Sequence, residues 1–133
     1  MKTGFRILSV LLFILIFNIN CMSKESAKTI MIDLDGVLDN YKGYSEEIPE
    51  IREGGKEFVK KLSKDYELIL FTTRKTKKAV EWLQDNKIDK YFKEVTNVKE
   101  PAYIYIDDRA IKFDGDYNKT LDEIGDFKVY WKN

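Results

Sequence analysis

Apolar residues gather along this chain in two alternating textures. The runs "TIMID" (29–33), "YELILFTTR" (66–74) and "AYIYID" (102–107) are rich in β-branched and aromatic residues and lack a polar face, as in strands buried on both sides of a sheet. Between the first two lies "GGKEFVKKLSKD", where Phe58, Val59 and Leu62 stand three and four apart, the stripe of an amphipathic helix ending near Asp65. Ala79, Trp82 and Leu83 repeat that spacing in "KTKKAVEWLQDNK". "YFKEVTNV" reads as a short third strand, the residues around Leu121 and Ile124 as a short helix, and "FKVYW" as a last strand. Strands alternating with helices predict a parallel sheet with helices on both sides, in which ligands bind beyond the carboxyl ends of the strands.

The first twenty residues follow another rule. Lys2 and Arg6 precede an almost unbroken apolar run from Ile7 to Phe17, the layout of an export signal. That run is shorter than the ~20 residues of a spanning helix, so residues 1–21 read as a signal peptide or as a signal anchor. Cys21, the single cysteine, directly follows and resembles the lipidated first residue of a bacterial lipoprotein; the other reading is an incidental thiol. The chain is therefore expected to be exported, periplasmic or membrane-anchored outside the cytoplasm. Residues 22–28 form a short polar linker and 29–133 one domain, since 133 residues leave no room for a second. Basic and acidic residues number 23 each with no long block of either sign, so no nucleic-acid surface is indicated.

Three predicted strands end in polar chemistry: Asp33 with Asp35, Thr72 with Thr73, and Asp107 with Asp108. Each acid pair alone could be a strand cap, its oxygens accepting from turn N–H groups. A calcium loop fails on position: with Gly36 sixth, Met31 falls first and Lys42 twelfth. Asp114, Asp116 and Asn118 fail similarly and read as a surface turn. Carboxylates gathered at one edge repel unless a hard cation sits among them, and oxygen donors in a chain without histidine suit Mg²⁺. Arg74 and Arg109 read equally as anion clamps or as ion-pair partners of that acidic edge. Trp82 and Trp131 read as core residues, and Lys75, Lys77 and Lys78 as a solvated face.

"MIDLDGVLDN", "LILFTTR" and "VKEPAYIYIDDRAIKFDGD" resemble, in order, the four motifs of the haloacid dehalogenase (HAD) superfamily, over about residues 28 to 125. The resemblance is to its small capless phosphatase-like members, and implies a Rossmann-like three-layer α/β/α sandwich with no cap domain. It implies that Asp33 is the nucleophile, forming an aspartyl-phosphate, and that Asp35 protonates the leaving oxygen and later activates water. Thr72, with Thr73 as second candidate, would hydrogen-bond a phosphate oxygen, and Lys99 would pair with phosphoryl group and nucleophile. Gly36 would permit the turn, and Gly36, Thr73 and Arg74 would line the substrate site. The metal would be held by Asp33, Asp35, Asp108 and Asp107, with Asp108 the favoured direct ligand and Asp107 its support.

The intervals from Asp33 to Thr72 and from Thr72 to Lys99 are used up by a flap loop, single helices and strands. An open site follows, shielded only by the loop containing Tyr41, Tyr44 and Ile48, and able to take a phosphorylated small molecule or an exposed phosphate on a larger one. An acid two residues after the nucleophile favours phosphoryl transfer over dehalogenation, because a leaving alkoxide needs a proton and a halide does not. The leading expectation is a Mg²⁺-dependent phosphomonoester hydrolase. Its competitors are a non-catalytic exported binding module and a polynucleotide-end phosphatase.

Overall fold

The computed structural model of the chain describes residues 27–132. The export segment 1–21, with Cys21, and most of the 22–28 linker lie outside the described residues. Among those described, no helix is long and apolar enough to cross a membrane.

In chain order the elements are β1 (Thr29–Asp33), α1 (Gly55–Leu62), β2 (Glu67–Phe71), α2 (Thr76–Asp85), β3 (Phe92–Thr96), β4 (Ile104–Ile106) and α3 (Tyr117–Asp126), with 3₁₀ turns at Asp89–Tyr91 and Tyr130–Lys132. The four strands make one parallel sheet ordered β3-β2-β1-β4. With its flanking helices this is the Rossmann-like α/β architecture anticipated from the alternation.

Side chains on successive residues of a strand point to opposite faces. Ile30 and Ile32 pair in register with Leu68 and Leu70, and on that face they pack with Leu34, Leu38 and Ile88 against Val59 of α1 and Ala79, Trp82 and Leu83 of α2. Met31 and Ile69, also paired, are buried on the opposite face. Both faces of the central strands are thus dry, which is why their sequence runs are unbroken. Trp82 is a core residue as expected, and its indole N–H donates to Pro49 O at 2.8 Å, tying α2 to the loop after β1.

Two expectations need correction. "FKVYW" is not a strand: Phe127–Val129 is irregular and Tyr130–Lys132 is a 3₁₀ turn. The β-forming side chains find better partners elsewhere, since Tyr130 donates its hydroxyl to Gly36 O and Trp131 its indole N–H to Asp108. The chain end therefore docks on the carboxyl edge of the sheet instead of extending it. Trp131 accordingly belongs to that edge and not to the core. Around α3 the apolar residues Tyr117, Leu121 and Ile124 are exposed, so its stripe contributes little burial.

Truncating Leu70→Ala should cost about 3 kcal/mol in chemical denaturation, the usual range for a buried leucine, whereas Leu121→Ala should stay within about 0.5 kcal/mol. Equal losses at the two positions would mean that α3 is buried against something.

Candidate active site

β1 lies between β2 and β4, so the chain leaves it toward one side of the sheet and later returns on the other. Such a switch point opens a crevice at the carboxyl end of the strand. Asp33 is the last residue of β1, and Asp107 and Asp108 directly follow β4. One oxygen from each of these three acids lies within 4.8 Å of the others. Gly36 turns the loop with a φ of +80°, and a Cβ there would meet Asp108 Oδ2 at 2.5 Å. Only glycine allows both that dihedral and that approach.

The electrostatic consequence falls on Asp33. Burial first, then the charge of Asp107 and, with Asp108 and Asp35 behind it, the rest of the cluster push its pKa from 3.8 up to about 7, against a lowering hydrogen bond from the Leu34 N–H. A carboxyl so placed is short of positive charge.

Asp35 has found such a partner. Arg74 Nε reaches its two oxygens at 2.7 and 2.9 Å, and Nη2 approaches Oδ1 at 2.7 Å. Through Nη1 the same guanidinium donates to Ser45 O at 3.0 Å. Of the two readings of Arg74, the ion pair is the one formed, and it fastens the flap to the acid. The flap itself is pinched at its base, where Asp39 bridges Ile51 and Asn40 N–H donates to Glu50 O at 2.9 Å. Tyr41 sits edge-on to Trp131 at 5.6 Å and Ile48 packs on the core, but Tyr44 is almost fully exposed and shields nothing.

Thr72 is buried one residue beyond β2, its hydroxyl oxygen accepting from Arg74 N–H at 3.1 Å, while Thr73 is exposed. The structure does not bring Lys99 to Asp33: its ammonium lies over the Tyr105 ring at 4.4 Å. Asp107 accepts from Arg109 N–H at 2.7 Å, and Asp108 Oδ2 accepts from Trp131 Nε1 at 2.6 Å. Among the described residues Arg109 forms no ion pair with the acidic edge, and it rests near the Tyr41 and Trp131 rings, at 5.9 and 5.6 Å. Asp116, one of the surface-turn acids, caps α3 through the N–H groups of Asn118 and Lys119.

Two participants are not among the site residues expected from the sequence. Asp39 is fully buried; its Oδ1 accepts from Gly36 N–H at 2.8 Å and Tyr41 N–H at 3.0 Å, and its Oδ2 has no partner. Burial drives its pKa up to about 6 against those two hydrogen bonds, with Asp35 adding to the rise. The signal was present in "GVLDN", an acid closing an apolar pair directly after a glycine turn. Trp131 left no comparable signal, because its role depends on a fold-back of the chain end.

The donor set fits a hard cation. Asp33, Asp107 and Asp108 offer oxygen alone, and their mutual repulsion, registered in the raised pKa of Asp33, is what a divalent ion would offset.

A parallel sheet with an acidic cluster at the switch point of its central strand, and with the motif intervals filled by a flap and single helices, defines a small HAD-type phosphatase. The chain matches the family model of the NLI interacting factor-like phosphatases over residues 28–129 and belongs to that family, whose members hydrolyse phosphoester bonds. Among solved structures it is similar in fold to the conserved protein coded by locus from Bacteroides thetaiotaomicron, at 24% identity and a TM-score of 0.55, covering 78% of this chain and 94% of that one. No curated protein matches it.

The folded, metal-free protein keeps a proton on Asp33 up to about pH 7, whereas the unfolded chain releases it near 3.8. The native state is then the stronger proton binder, so stability falls as pH rises from about 4 to about 7. Adding Mg²⁺ should raise the melting temperature more at about pH 7.5 than at about pH 5.5, and Asp33→Asn should shrink the metal-free pH dependence, leaving the share that Asp39, raised to about 6, contributes. Identical Mg²⁺ shifts at both pH values would contradict this account. Trp131→Phe, which removes the donor to Asp108, should weaken Mg²⁺ binding about tenfold in a calorimetric titration. Unchanged affinity would mean that the hydrogen bond does not orient Asp108 toward metal.

Proposed function

We propose that this phosphatase is a Mg²⁺-dependent phosphomonoester hydrolase working through an aspartyl-phosphate on Asp33. The observation that carries the reading is the position of Asp33: half-buried at the end of β1, grouped with Asp107 and Asp108, and two residues before an acid that faces the same edge. Mg²⁺ held by Asp33 and the Asp107–Asp108 pair, with Asp35 beside them, would reduce the repulsion between a carboxylate and a phosphate dianion.

An Asp33 oxygen attacks phosphorus and forms the acyl-phosphate bond while the P–O bond to the leaving group breaks. Asp35 supplies the proton to the departing oxygen. Water then attacks the phosphoryl group, gives its proton back to Asp35, and inorganic phosphate leaves Asp33 free. Arg74 occupies both Asp35 oxygens, so it has to turn away before Asp35 can serve the leaving group. A substrate phosphate offers that guanidinium a matching bidentate partner, and the hydroxyl of Thr72 one further donor. Lys99 joins only after leaving Tyr105.

The substrate is a phosphorylated small molecule or an exposed phosphate on a larger one, met at an open edge behind the Tyr41 flap. The apolar N-terminal run and Cys21 support export, with membrane attachment through lipid or the apolar segment.

The deciding experiment measures phosphate release from phenyl phosphate by the full chain, with Mg²⁺ or chelator, beside Asp33→Asn. Metal-dependent release should fall at least about a thousandfold in the variant, as for loss of a covalent nucleophile. Release that persists in Asp33→Asn would overturn the proposed nucleophile.

A further inference from the structure

The C-terminal turn builds a second pocket beside the acidic cluster, and its charge is opposite. Arg109, Phe127, Lys128, Val129 and Lys132 line a cavity of about 390 Å³. Three of these five residues are cations and none is an acid. Among the described residues none of the three is in an ion pair, although Lys78, Lys93 and Lys119 each have a carboxylate. Phe127 and the buried Val129 give the cavity an apolar floor. Cations held around one opening repel each other, and an anion placed between them removes that repulsion.

The pocket is joined to the catalytic edge by a single indole. Arg109 and Lys132 each lie 5.6 Å from the Trp131 ring, whose N–H donates to Asp108 Oδ2 at 2.6 Å. Arg109 is also the chain neighbour of Asp108 and is steadied from a second side by Tyr41 at 5.9 Å. Trp131 thus stands between two of the pocket's cations and Asp108 of the acid cluster. The neighbouring groove along α3, which shares Phe127, is different in charge: its four acids, Asp114, Asp122, Glu123 and Asp126, outnumber its two lysines, Lys112 and Lys119, and Lys119 is already paired with Asp114 and Glu123.

We propose that Arg109, Lys128 and Lys132 bind a second anionic group of the substrate, a carboxylate or phosphate carried by the same molecule whose phosphoester reacts at Asp33. The proposal rests on the hydrolase reading and names its substrate class. In a fold without a cap, this pocket supplies the selection that an open edge lacks, because a monoester with a single charged group engages only the catalytic cluster. Arg109 presents a planar fork suited to either anion, while the two lysines add charge without geometric demand.

Two measurements test it. Inorganic phosphate is titrated into full chain stripped of metal and desalted, and the backbone amide NMR shifts are followed. The uncompensated carboxylates repel phosphate from the catalytic edge under these conditions, so saturable shifts should centre on Arg109 and residues 127–132 and disappear in the double variant K128Q/K132Q. No shifts, or shifts centred on Thr72 and Arg74, overturn the pocket. In the second measurement kcat/KM is compared for 3-carboxyphenyl phosphate and phenyl phosphate with Mg²⁺ present. The carboxylated ester should be preferred, and the double variant should reduce that preference about fivefold, the size of an exposed ion contact. A preference untouched by the variant overturns the proposal. Phosphate shifts without hydrolysis of either ester would support the anion pocket and remove the hydrolase reading, whereas equal hydrolysis of both esters without shifts would do the reverse.

Discussion

Like charges crowd one edge of this sheet, and much of the surrounding structure is the means by which they are held there. Asp33, Asp35, Asp39, Asp107 and Asp108 come from the last residue of β1 and from the loops that follow β1 and β4, and would separate if each kept its own hydration. Their supports are unequal. Asp35 has the Arg74 fork, Asp39 two backbone N–H groups, Asp107 the Arg109 N–H, and Asp108 the Trp131 indole. Asp33 has the Leu34 N–H, which does not offset its burial and the charges of Asp107, Asp108 and Asp35, so its pKa stays raised, to about 7. An unequal distribution of support among chemically identical groups is how one edge can give its carboxyls different tasks.

Geometry ties those supports together. Gly36 brings the first loop against Asp108, Asp39 holds that loop through Gly36 and Tyr41, and Tyr130 grips the Gly36 carbonyl while Trp131 grips Asp108. The C-terminal turn is thus a brace across the two acid-bearing loops. A fifth strand would have extended the sheet and left both loops without it. β4 accordingly remains an edge strand, with Ile104 and Tyr105 partly exposed.

How much of this was legible in the sequence depends on the range of the forces involved. β1, β2 and both core helices are written in local periodicity, because burial of both faces of the central strands and of one helix stripe leaves a pattern within a dozen residues. The acidic cluster was legible for the same reason: strands that end in carboxylates at a parallel sheet's carboxyl edge must converge. The brace was not legible, since "FKVYW" has strand composition and nothing nearby says that Tyr130 and Trp131 will be drawn to partners more than twenty residues away. Lys99 shows the complementary limit. Its place in the motif order is clear, but a long flexible side chain takes its position from whichever partner is nearest, here the face of Tyr105.

Arg74 connects these static supports to turnover. Its guanidinium joins the flap, through Ser45 O, to Asp35, the acid proposed above to protonate the leaving group. Both bonds draw on the same donors that a phosphate dianion would claim, so the flap closure seen here and occupation of the site by substrate compete for one side chain. A capless fold has no domain to swing over its substrate. On the mechanism proposed above, competition for a single arginine would still couple loop position to ligand charge, and selection among substrates would fall to the few residues, Arg74 and Tyr41 on one side and Trp131 and Arg109 on the other, that border the acidic edge.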